Sequence, residues 1–207
     1  FKTWLSELGG IQGDVPAENA VAYYDVILDE ASLKAWIRRL EKADLISIDT
    51  ETTSLDAMRA RIVGLSFTDR PGEGAYLPLA HDYPGAPGQL PLKGTLEKLR
   101  ALLEDPARPK VGQNLKYDRS VLLNHGIELK GIRFDTMLES YVLDSTGSRH
   151  DLDTLALKYL GINPIRYEDV AGKGKGALSF NQVPLEEAAP YAAEDADLTL
   201  RLHQLLY

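Results

Sequence analysis

The stretch that decides the fold covers residues 45–80 and reads LISIDTETTSLDAMRARIVGLSFTDRPGEGAYLPLA. It contains three β-rich runs, at 45–51, 61–69 and 74–80, and a Pro-Gly pair at 71–72 separates the last two. A proline followed by glycine between two apolar runs is typical of a turn. The stretch therefore predicts a strand followed by a hairpin, arranged as an antiparallel meander.

Helical and extended patterns alternate on either side of this meander. Upstream, an apolar run at 22–28 predicts a strand, and a helix is expected from an N-cap at Asp29 to about residue 43. Downstream, the predicted elements are helices at 95–104, 114–125, 151–160 and 191–206, a helix after residue 134, and a short strand at 110–113. An antiparallel meander followed by alternating helices and strands indicates an α/β fold with a mixed β-sheet flanked by α-helices.

The composition favours a single domain and limits its chemistry. A chain of 207 residues with 44% hydrophobic residues can bury a core without cross-links, and we expect the domain to span 21–207 after a linker or N-terminal arm at 1–20. The absence of cysteine excludes disulfides, thiolate zinc sites and cysteine nucleophiles. Neither a membrane span nor a signal peptide is recognisable, so we expect a cytoplasmic protein without membrane contacts.

The net charge of −8 opposes nucleic-acid binding by overall electrostatic steering. A site that gathers carboxylates around divalent cations nevertheless meets phosphates through those cations, so nucleic acid stays open as a substrate. The four histidines include no H-x-x-x-H pair. Oxygen ligands and a hard cation, Mg²⁺ or Mn²⁺, are therefore the favoured metal chemistry.

Two carboxylates lie at the end of the first strand of the meander. Asp49 and Glu51 are two residues apart, so an extended backbone directs both side chains to one face of the sheet. Like charges this close repel each other unless a cation lies between them. The alternative is a polar strand end that runs into a turn, which the pattern alone does not exclude.

A second candidate segment, VGQNLKYDRS, follows the short strand at 110–113. Asn114 is a candidate helix N-cap, and Asp118 lies one turn later on the same side. Capping combined with a solvated helix face explains the same pattern.

The third segment, PYAAEDADLT, belongs to the last predicted helix, which Pro190 starts or kinks. Tyr191 and Asp195 are four residues apart and share one face, where neighbouring alanines permit close packing. Glu194 and Asp197 are predicted to be the solvated acids of this helix. The pair of Tyr191 and Asp195 is then free to face a cleft.

These segments lead to one hypothesis about chemistry. Four acids converge on a divalent metal site that adjoins Tyr191; they are Asp49, Glu51, Asp118 and Asp195. Two-metal sites built from carboxylates hydrolyse phosphodiesters. If the acids were only surface charge, replacing Asp195 would leave metal binding unchanged.

In chain order the segments read D-T-E, N-x-x-Y-D and Y-x-x-x-D, which resembles the DEDDy family of 3′→5′ exonucleases with a ribonuclease-H-like fold. The stretches FDTMLESYVL, SRHDLDTLA and EDVAGKGKG resemble the proofreading domain of bacterial family A DNA polymerases, the DNA polymerase I type. The resemblance runs from about residue 22 to the end. It implies release of a 5′-deoxynucleotide (dNMP) from a single-stranded or frayed DNA 3′ end. It also implies a linked polymerase domain, C-terminal to this one, in the parent protein.

The same resemblance assigns the metal ligands. Asp49, Glu51 and Asp195 would bind a first cation. Asp49, together with Asp118 through water, would bind a second. Tyr191 would hold the attacking water with help from Glu51. Both cations would be Mg²⁺ or Mn²⁺, with Zn²⁺ as an occupant of the first position in crystals.

The resemblance also implies contacts to the last single-stranded nucleotides. Leu55 would wedge against the terminal base, and the other expected contacts are Gln113, Asn114, Met137, Arg149 and Tyr167. An apolar wedge, an aromatic ring and a few polar groups hold single-stranded DNA without reading its sequence. The alternatives are a core position for Leu55 and Met137, a loop anchor for Tyr167 and a surface charge for Arg149.

Two other functions stay open at this point. One is a ribonuclease of the same superfamily that trims RNA 3′ ends, and the other is a non-catalytic module that positions a polymerase. The AGKGKG stretch lacks the spacing of a phosphate-binding P-loop, so Lys173 and Lys175 either touch the DNA backbone or lie in a solvated loop. We expect a monomer.

Overall fold

One mixed sheet organises the part of the chain that the computed structural model describes, residues 22–146 and 149–207 without the side chain of Lys175. The linker or arm predicted at 1–20 lies outside the described residues. The strands are β1 (Tyr23–Val26), β2 (Ile46–Thr52), β3 (Ile62–Arg70), β4 (Glu73–Pro78), β5 (Lys110–Gly112) and β6 (Ile132–Asp135).

The strand order β1-β4-β3-β2-β5-β6 places β2 in the interior of the sheet. Antiparallel pairing joins β2 to β3 and β3 to β4, which is the predicted meander. The remaining pairs, β1 with β4, β2 with β5 and β5 with β6, are parallel. The mixed α/β sheet is therefore confirmed. The edge strand β6 was missed, because four residues are too few to show a clear alternation.

Seven α-helices accompany the sheet within the described residues. They are α1 (Glu30–Leu40), α2 (Leu92–Leu103), α3 (Leu115–Asn124), α4 (Thr136–Leu143), α5 (Leu152–Leu155), α6 (Tyr167–Ala171) and α7 (Leu185–Leu206). Aspartate side chains cap three of them by accepting backbone N–H groups: Asp29 for α1, Asp135 for α4 and Asp151 for α5. In the part of the chain that is described, no helix combines the length and apolar character needed to span a membrane.

Buried apolar side chains form two clusters. The larger one joins α1, α2 and α3 to the sheet and contains Trp36, Leu99 and Val121. The smaller one includes Phe180 and Val183 and extends along α7. Since α7 packs on β2, β3 and β4, the last helix brings its polar residues to the strand that carries Asp49 and Glu51.

The start of α7 differs from the prediction. The helix begins at Leu185, so Pro190 lies inside it and does not mark its first turn. A proline at this position removes the hydrogen bond that would reach the carbonyl of residue 186, and its ring crowds that carbonyl. The alanines at 188 and 189 are buried, and their packing stabilises the additional turn.

Asn114 occupies the predicted N-cap position of α3, but its side chain does not cap the helix. Asn114 adopts the left-handed conformation, with φ of 63°, and its side chain makes no capping hydrogen bond. Instead, the carboxylate of Asp135 accepts hydrogen bonds from the N–H groups of Asn114 and Leu115, at 3.1 and 2.9 Å. Asp135 therefore fixes the start of α3 as well as that of α4.

Candidate active site

Strand β2 carries two carboxylates on one face. Asp49 and Glu51 lie opposite Ser66 and Gly64 of β3, and the two-residue repeat of the strand directs them to the same side. A side chain at Gly64 would collide with Tyr76, whose hydroxyl lies 2.2 Å from the position of a Cβ there. The glycine therefore makes room for a buried tyrosine close to the two acids, whose charges add to burial in raising the pKa of Tyr76.

Helix α7 contributes the third carboxylate. Buried alanines let the helix lie close to the sheet, and the hydroxyl of Ser47 on β2 donates a hydrogen bond to the carbonyl of Ala196 at 2.8 Å. As a result, one carboxylate oxygen from each of Asp49, Glu51 and Asp195 lies within 4.8 Å of the other two.

Asp118 comes from α3 and lies beside this cluster without belonging to it. Its Oδ1 accepts hydrogen bonds from the backbone N–H of Thr50 at 3.0 Å and from the Thr50 hydroxyl at 2.5 Å. Asp118 is buried and lines the same cleft, and the charge of Asp49 acts on it. Thr50 therefore fixes the fourth acid next to the other three.

Burial disfavours the charged form of the four carboxyl groups and therefore raises their pKa values. It raises the pKa of Asp49 to about 6. Burial first, and neighbouring carboxylates second, raise the pKa of Glu51, Asp118 and Asp195 well above their usual values. The Oε1 atom of Glu51 is buried and has no hydrogen-bond partner among the described residues. Oxygen donors, crowded charge and an unsatisfied carboxylate oxygen all fit a hard divalent cation.

The raised pKa values predict how stability depends on pH. A carboxyl group with a raised folded pKa favours folding most below its unfolded pKa and loses this contribution as the pH rises through the folded value, about 6 for Asp49. In EDTA, the free energy of unfolding should therefore fall by about 2 kcal/mol between about pH 5 and 7.5. Urea unfolding of the parent and of an Asp195→Asn variant measures this, and we expect a smaller fall in the variant.

The comparison with the variant is needed because two histidines act in the opposite direction. Burial lowers the pKa of His81 and His125, so their protonation destabilises the fold as the pH falls. Both histidines are present in the parent and in the Asp195→Asn variant, and their contribution cancels in the difference. If the free energy of unfolding depends on pH equally in the parent and in the Asp195→Asn variant, the clustered carboxylates do not repel one another as predicted.

The acids open into a cleft of about 590 Å³. Its lining residues are Asp49, Thr50, Glu51, Thr52, Thr53, Ser54, Leu55, Gln113, Asn114, Tyr117, Asp118, Tyr167, Tyr191 and Asp195. All five residues predicted to be catalytic are among them.

Four of the six predicted substrate contacts also line the cleft: Leu55, Gln113, Asn114 and Tyr167. Leu55 is 97% exposed, so it is not a core residue. Met137 and Arg149 are not in the lining. Met137 is half-buried at the start of α4, and Arg149 is exposed and pairs with Asp151 at 3.1 Å.

An aromatic group forms one wall of the cleft. The rings of Tyr167 and Tyr191 meet edge to face, with centroids 6.3 Å apart. The buried ring of Phe180 packs against both, with its centroid 6.4 Å from that of Tyr167 and 5.8 Å from that of Tyr191. The hydroxyl of Tyr167 donates to the carbonyl of Leu178 at 3.1 Å, which anchors the ring to the loop that carries Phe180.

Sequence reasoning did not assign three residues that shape this site. Thr50 holds Asp118, Phe180 supports the two tyrosines, and Tyr117 lines the cleft while its hydroxyl donates to the carbonyl of Ser54. The position of Thr50 between two acids was a visible signal, because strand alternation turns it away from them. Nothing local to Phe180 distinguishes it from an ordinary core residue.

The assignment of Glu194 and Asp197 as solvated acids is wrong. Asp197 is 1% exposed and accepts hydrogen bonds from the Tyr24 hydroxyl at 2.9 Å and from the N–H of Gly72 at 2.8 Å. It also forms an ion pair with Arg201 at 2.8 Å. Glu194 is half-buried and accepts from the N–H of Ile165 at 2.7 Å. Both acids therefore hold α7 in place.

The loop at 171–176, AGKGKG, carries the two lysines that were expected either to touch the DNA backbone or to lie in solvent. Lys173 is exposed and pairs with Glu168 at 2.9 Å. The side chain of Lys175 lies outside the described part of the chain. A contact of these lysines with a DNA backbone stays a prediction.

Known proteins share this sequence over nearly its whole length. Residues 24–207 match the family described as 3′-5′ exonuclease. The chain is 55% identical to the DNA polymerase I of Pseudomonas aeruginosa, in an alignment that covers 100% of the chain and 24% of that protein. It is 46% identical to the DNA polymerase I of Rhizobium leguminosarum, over 88% of the chain and 20% of that protein. The chain thus spans about a quarter or less of the length of these relatives.

Solved structures share its fold. The RNase D of Trypanosoma brucei superposes with a TM-score of 0.69 at 16% identity, covering 89% of this chain and 64% of that chain. The POL domain of Pol1 from M. smegmatis, in complex with DNA primer-template and dNTP, superposes with a TM-score of 0.66 at 20% identity, covering 87% of this chain and 26% of that chain. These similarities confirm the expected ribonuclease-H-like α/β fold.

Proposed function

This chain belongs to the 3′-5′ exonuclease family found in DNA polymerase I, and on that premise we propose that it hydrolyses the 3′-terminal phosphodiester of single-stranded or frayed DNA. The observation that carries the proposal is the cluster of Asp49, Glu51 and Asp195, whose carboxylate oxygens lie within 4.8 Å of one another in an open cleft. Carboxylates held this closely suit divalent cations, and such cations are suited to phosphodiester hydrolysis.

The four acids would hold two cations between them. Asp49, Glu51 and Asp195 would hold a first Mg²⁺ or Mn²⁺ ion, and Asp49, together with Asp118 through water, would hold a second. When bound, the cations polarise the scissile phosphate, activate water near neutral pH and stabilise the leaving oxygen. The chain contributes fixed positions, because β2, α3 and α7 hold the acids on rigid elements of the fold.

Tyr191 and Glu51 would orient the attacking water. Burial and the charges of Asp195 and Glu51 raise the pKa of Tyr191, so its hydroxyl stays protonated. It donates its proton to the carboxylate of Asp195, and its oxygen can accept a hydrogen bond from the water. The buried Oε1 of Glu51 has no partner among the described residues and can accept one. The water oxygen then bonds to phosphorus and its proton passes to the solvent. The bond from phosphorus to the 3′ oxygen breaks, that oxygen takes up a proton from the solvent and stays on the strand as a hydroxyl, and the 5′-nucleotide is released.

The walls of the cleft suit a frayed strand. The exposed side chain of Leu55 can wedge against the terminal base, and the ring of Tyr167 offers an apolar face. The amide of Asn114 adds polar groups without a pattern that reads one base, and Gln113 beside it is fixed by donating to the carbonyl of His150 at 2.7 Å and accepting from the Thr136 hydroxyl at 2.5 Å. We therefore assign single-stranded DNA of any sequence as the substrate, and dNMP as the product.

Replacing Tyr191 with phenylalanine is expected to lower kcat about 10²-fold by releasing the attacking water from its fixed orientation. KM and the affinity for Mn²⁺ should change little, because the acids and the aromatic wall are retained. Single-turnover hydrolysis of labelled single-stranded DNA measures the first effect and Mn²⁺ titration the second. A variant with the kcat of the parent would remove Tyr191 from the reaction.

The proposed function is tested with 5′-labelled single-stranded DNA on a denaturing gel, with Mg²⁺ or with EDTA. A ladder that shortens from the 3′ end with Mg²⁺ and is absent with EDTA is the expected result. A labelled RNA strand of the same sequence runs beside it, and faster RNA shortening would favour the RNA-trimming alternative. No shortening of either strand, even with Mn²⁺ at high protein concentration, would contradict the proposal and favour the structural module.

The parent protein is proposed to be a DNA-directed DNA polymerase. The relatives that cover this chain are DNA polymerases I, in which it corresponds to 24% and 20% of the length. Residues 21–207 would act as the exonuclease domain, with a polymerase domain following. Light scattering on the isolated chain tests the expected monomer.

A further inference from the structure

The loop between β2 and β3, residues 53–61, presents apolar and cationic side chains outward. Leu55 and Met58 are 97% and 79% exposed. Arg59 and Arg61 are also exposed, and neither side chain has an acidic partner among the residues that the structure describes. The loop also carries one exposed acid, Asp56, so its formal charge is +1 in a protein whose net charge is −8.

Hydrogen bonds from side chains of α3 hold the backbone of this loop in place. The hydroxyl of Tyr117 donates to the carbonyl of Ser54, and the side-chain amide of Asn124 donates to the carbonyl of Ala57 at 2.7 Å. The carbonyl of Asp56 accepts from the N–H of Arg59 at 2.9 Å. The loop is therefore ordered without its outward side chains, which are free to serve a ligand.

Helix α3 extends the positive charge next to this loop. Lys116 is exposed at the start of α3 and has no acidic partner in the described part of the chain. Its neighbours Tyr117 and Asp118 line the cleft, and so does Leu55 at the near end of the loop. Arg61 closes the loop against Thr53, which also lines the cleft: the N–H of Thr53 donates to the carbonyl of Arg61 at 3.1 Å, and the N–H of Arg61 donates to the Thr53 hydroxyl at 3.1 Å. Arg61 and Lys116 therefore lie next to residues of the cleft lining.

We propose that this surface, formed by Met58, Arg59, Arg61 and Lys116, binds the nucleotides that lie 5′ of those in the cleft. The cations would contact phosphates, and the exposed thioether of Met58 would pack on a base. Interleaved apolar and cationic side chains are the pattern of proteins that bind single strands without reading sequence. The inference rests on the proposed function, since it extends the path of the same strand.

Binding of a 5′-fluorescein oligothymidylate, followed by anisotropy with Ca²⁺ in place of Mg²⁺, tests this surface. In an Arg59→Ala/Arg61→Ala variant we expect Kd to rise about tenfold and the slope of log Kd against log salt to fall by about 1.4, or 0.7 per phosphate contact. The matched control is Lys34→Ala/Lys42→Ala, which removes the same charge from exposed positions on and just after α1, away from the cleft, and should leave both values unchanged.

A second readout separates this inference from the proposed function. Mg²⁺-dependent hydrolysis of a trinucleotide, which the cleft alone can hold, should be the same in the parent and the arginine variant. Loss of trinucleotide hydrolysis in the parent itself would overturn the proposed function, whereas the anisotropy comparison would still decide the surface. If the arginine variant binds the long strand with the Kd and salt slope of the parent, the surface is not part of the strand's path.

Discussion

Replacing Asp49 with asparagine is expected to lower the rate of 3′-terminal hydrolysis by about 10³-fold, since the loss of several kcal/mol of charge stabilisation costs a factor of ten for each 1.4 kcal/mol. Asp49 lies in the three-carboxylate cluster, and its charge also acts on Asp118. Asparagine keeps the size of the side chain and removes its charge. Asp49 is the ligand proposed to contact both cations, so its loss affects both.

The same substitution should stabilise the metal-free protein. Without the charge of Asp49, the repulsion that this residue exerts on Glu51 and Asp195 disappears, and the free energy of unfolding in EDTA should rise. Opposite signs for activity and stability distinguish a metal ligand from a residue that supports the fold. The control is Glu187→Gln, which removes an exposed carboxylate from the first turn of α7; it should leave the rate unchanged and lower the free energy of unfolding by about 0.5 kcal/mol or less. An Asp49→Asn variant with more than a tenth of the parent rate would contradict the assignment.

Replacing Asp197 with alanine is expected to have the largest effect on stability, a loss of about 3–5 kcal/mol in the free energy of unfolding, as for a broken buried ion pair. The substitution leaves the hydroxyl of Tyr24, the N–H of Gly72 and the guanidinium of Arg201 without their acceptor. These three groups come from β1, the turn before β4 and α7 itself. Their common partner ties the helix to the edge of the sheet.

Urea unfolding measures the effect, and Glu187→Ala on the exposed side of the same helix is the matched control, expected within about 0.5 kcal/mol of the parent. Asp197 is not one of the clustered carboxylates, so the folded fraction of the variant should keep the Mn²⁺ affinity of the parent. A loss of stability below about 1 kcal/mol would mean that the three donors find water or other acceptors when Asp197 is absent.

The parts of the site that could be predicted from sequence are those that depend on local periodicity. The two-residue repeat of a strand placed Asp49 and Glu51 on one face, and a spacing of four residues placed Tyr191 and Asp195 on one side of a helix. The apolar runs and the Pro-Gly pair at 71–72 were enough to predict the antiparallel meander of β2, β3 and β4. In these cases the backbone geometry alone relates the residues.

The errors concern residues whose partners are distant in the chain. Asp197 has the local pattern of a solvated acid, and it is buried because Tyr24 and Gly72 reach it from residues more than a hundred positions away. Asn114 is of a residue type that often caps helices, but the carboxylate of Asp135 accepts the N–H groups at the start of α3. Asn114 itself adopts the left-handed conformation. Helical periodicity gives the face of a residue and does not say what packs on that face.

The most direct test of the central claim is electron paramagnetic resonance of Mn²⁺, whose free signal disappears as the ion binds. The parent should deplete the signal by up to two equivalents. The variants Asp49→Asn and Asp195→Asn should lose the tight site, while Glu187→Gln keeps it. If Asp195→Asn depletes free Mn²⁺ as the parent does, the acids in the cleft are not the metal site, and the proposed mechanism is wrong.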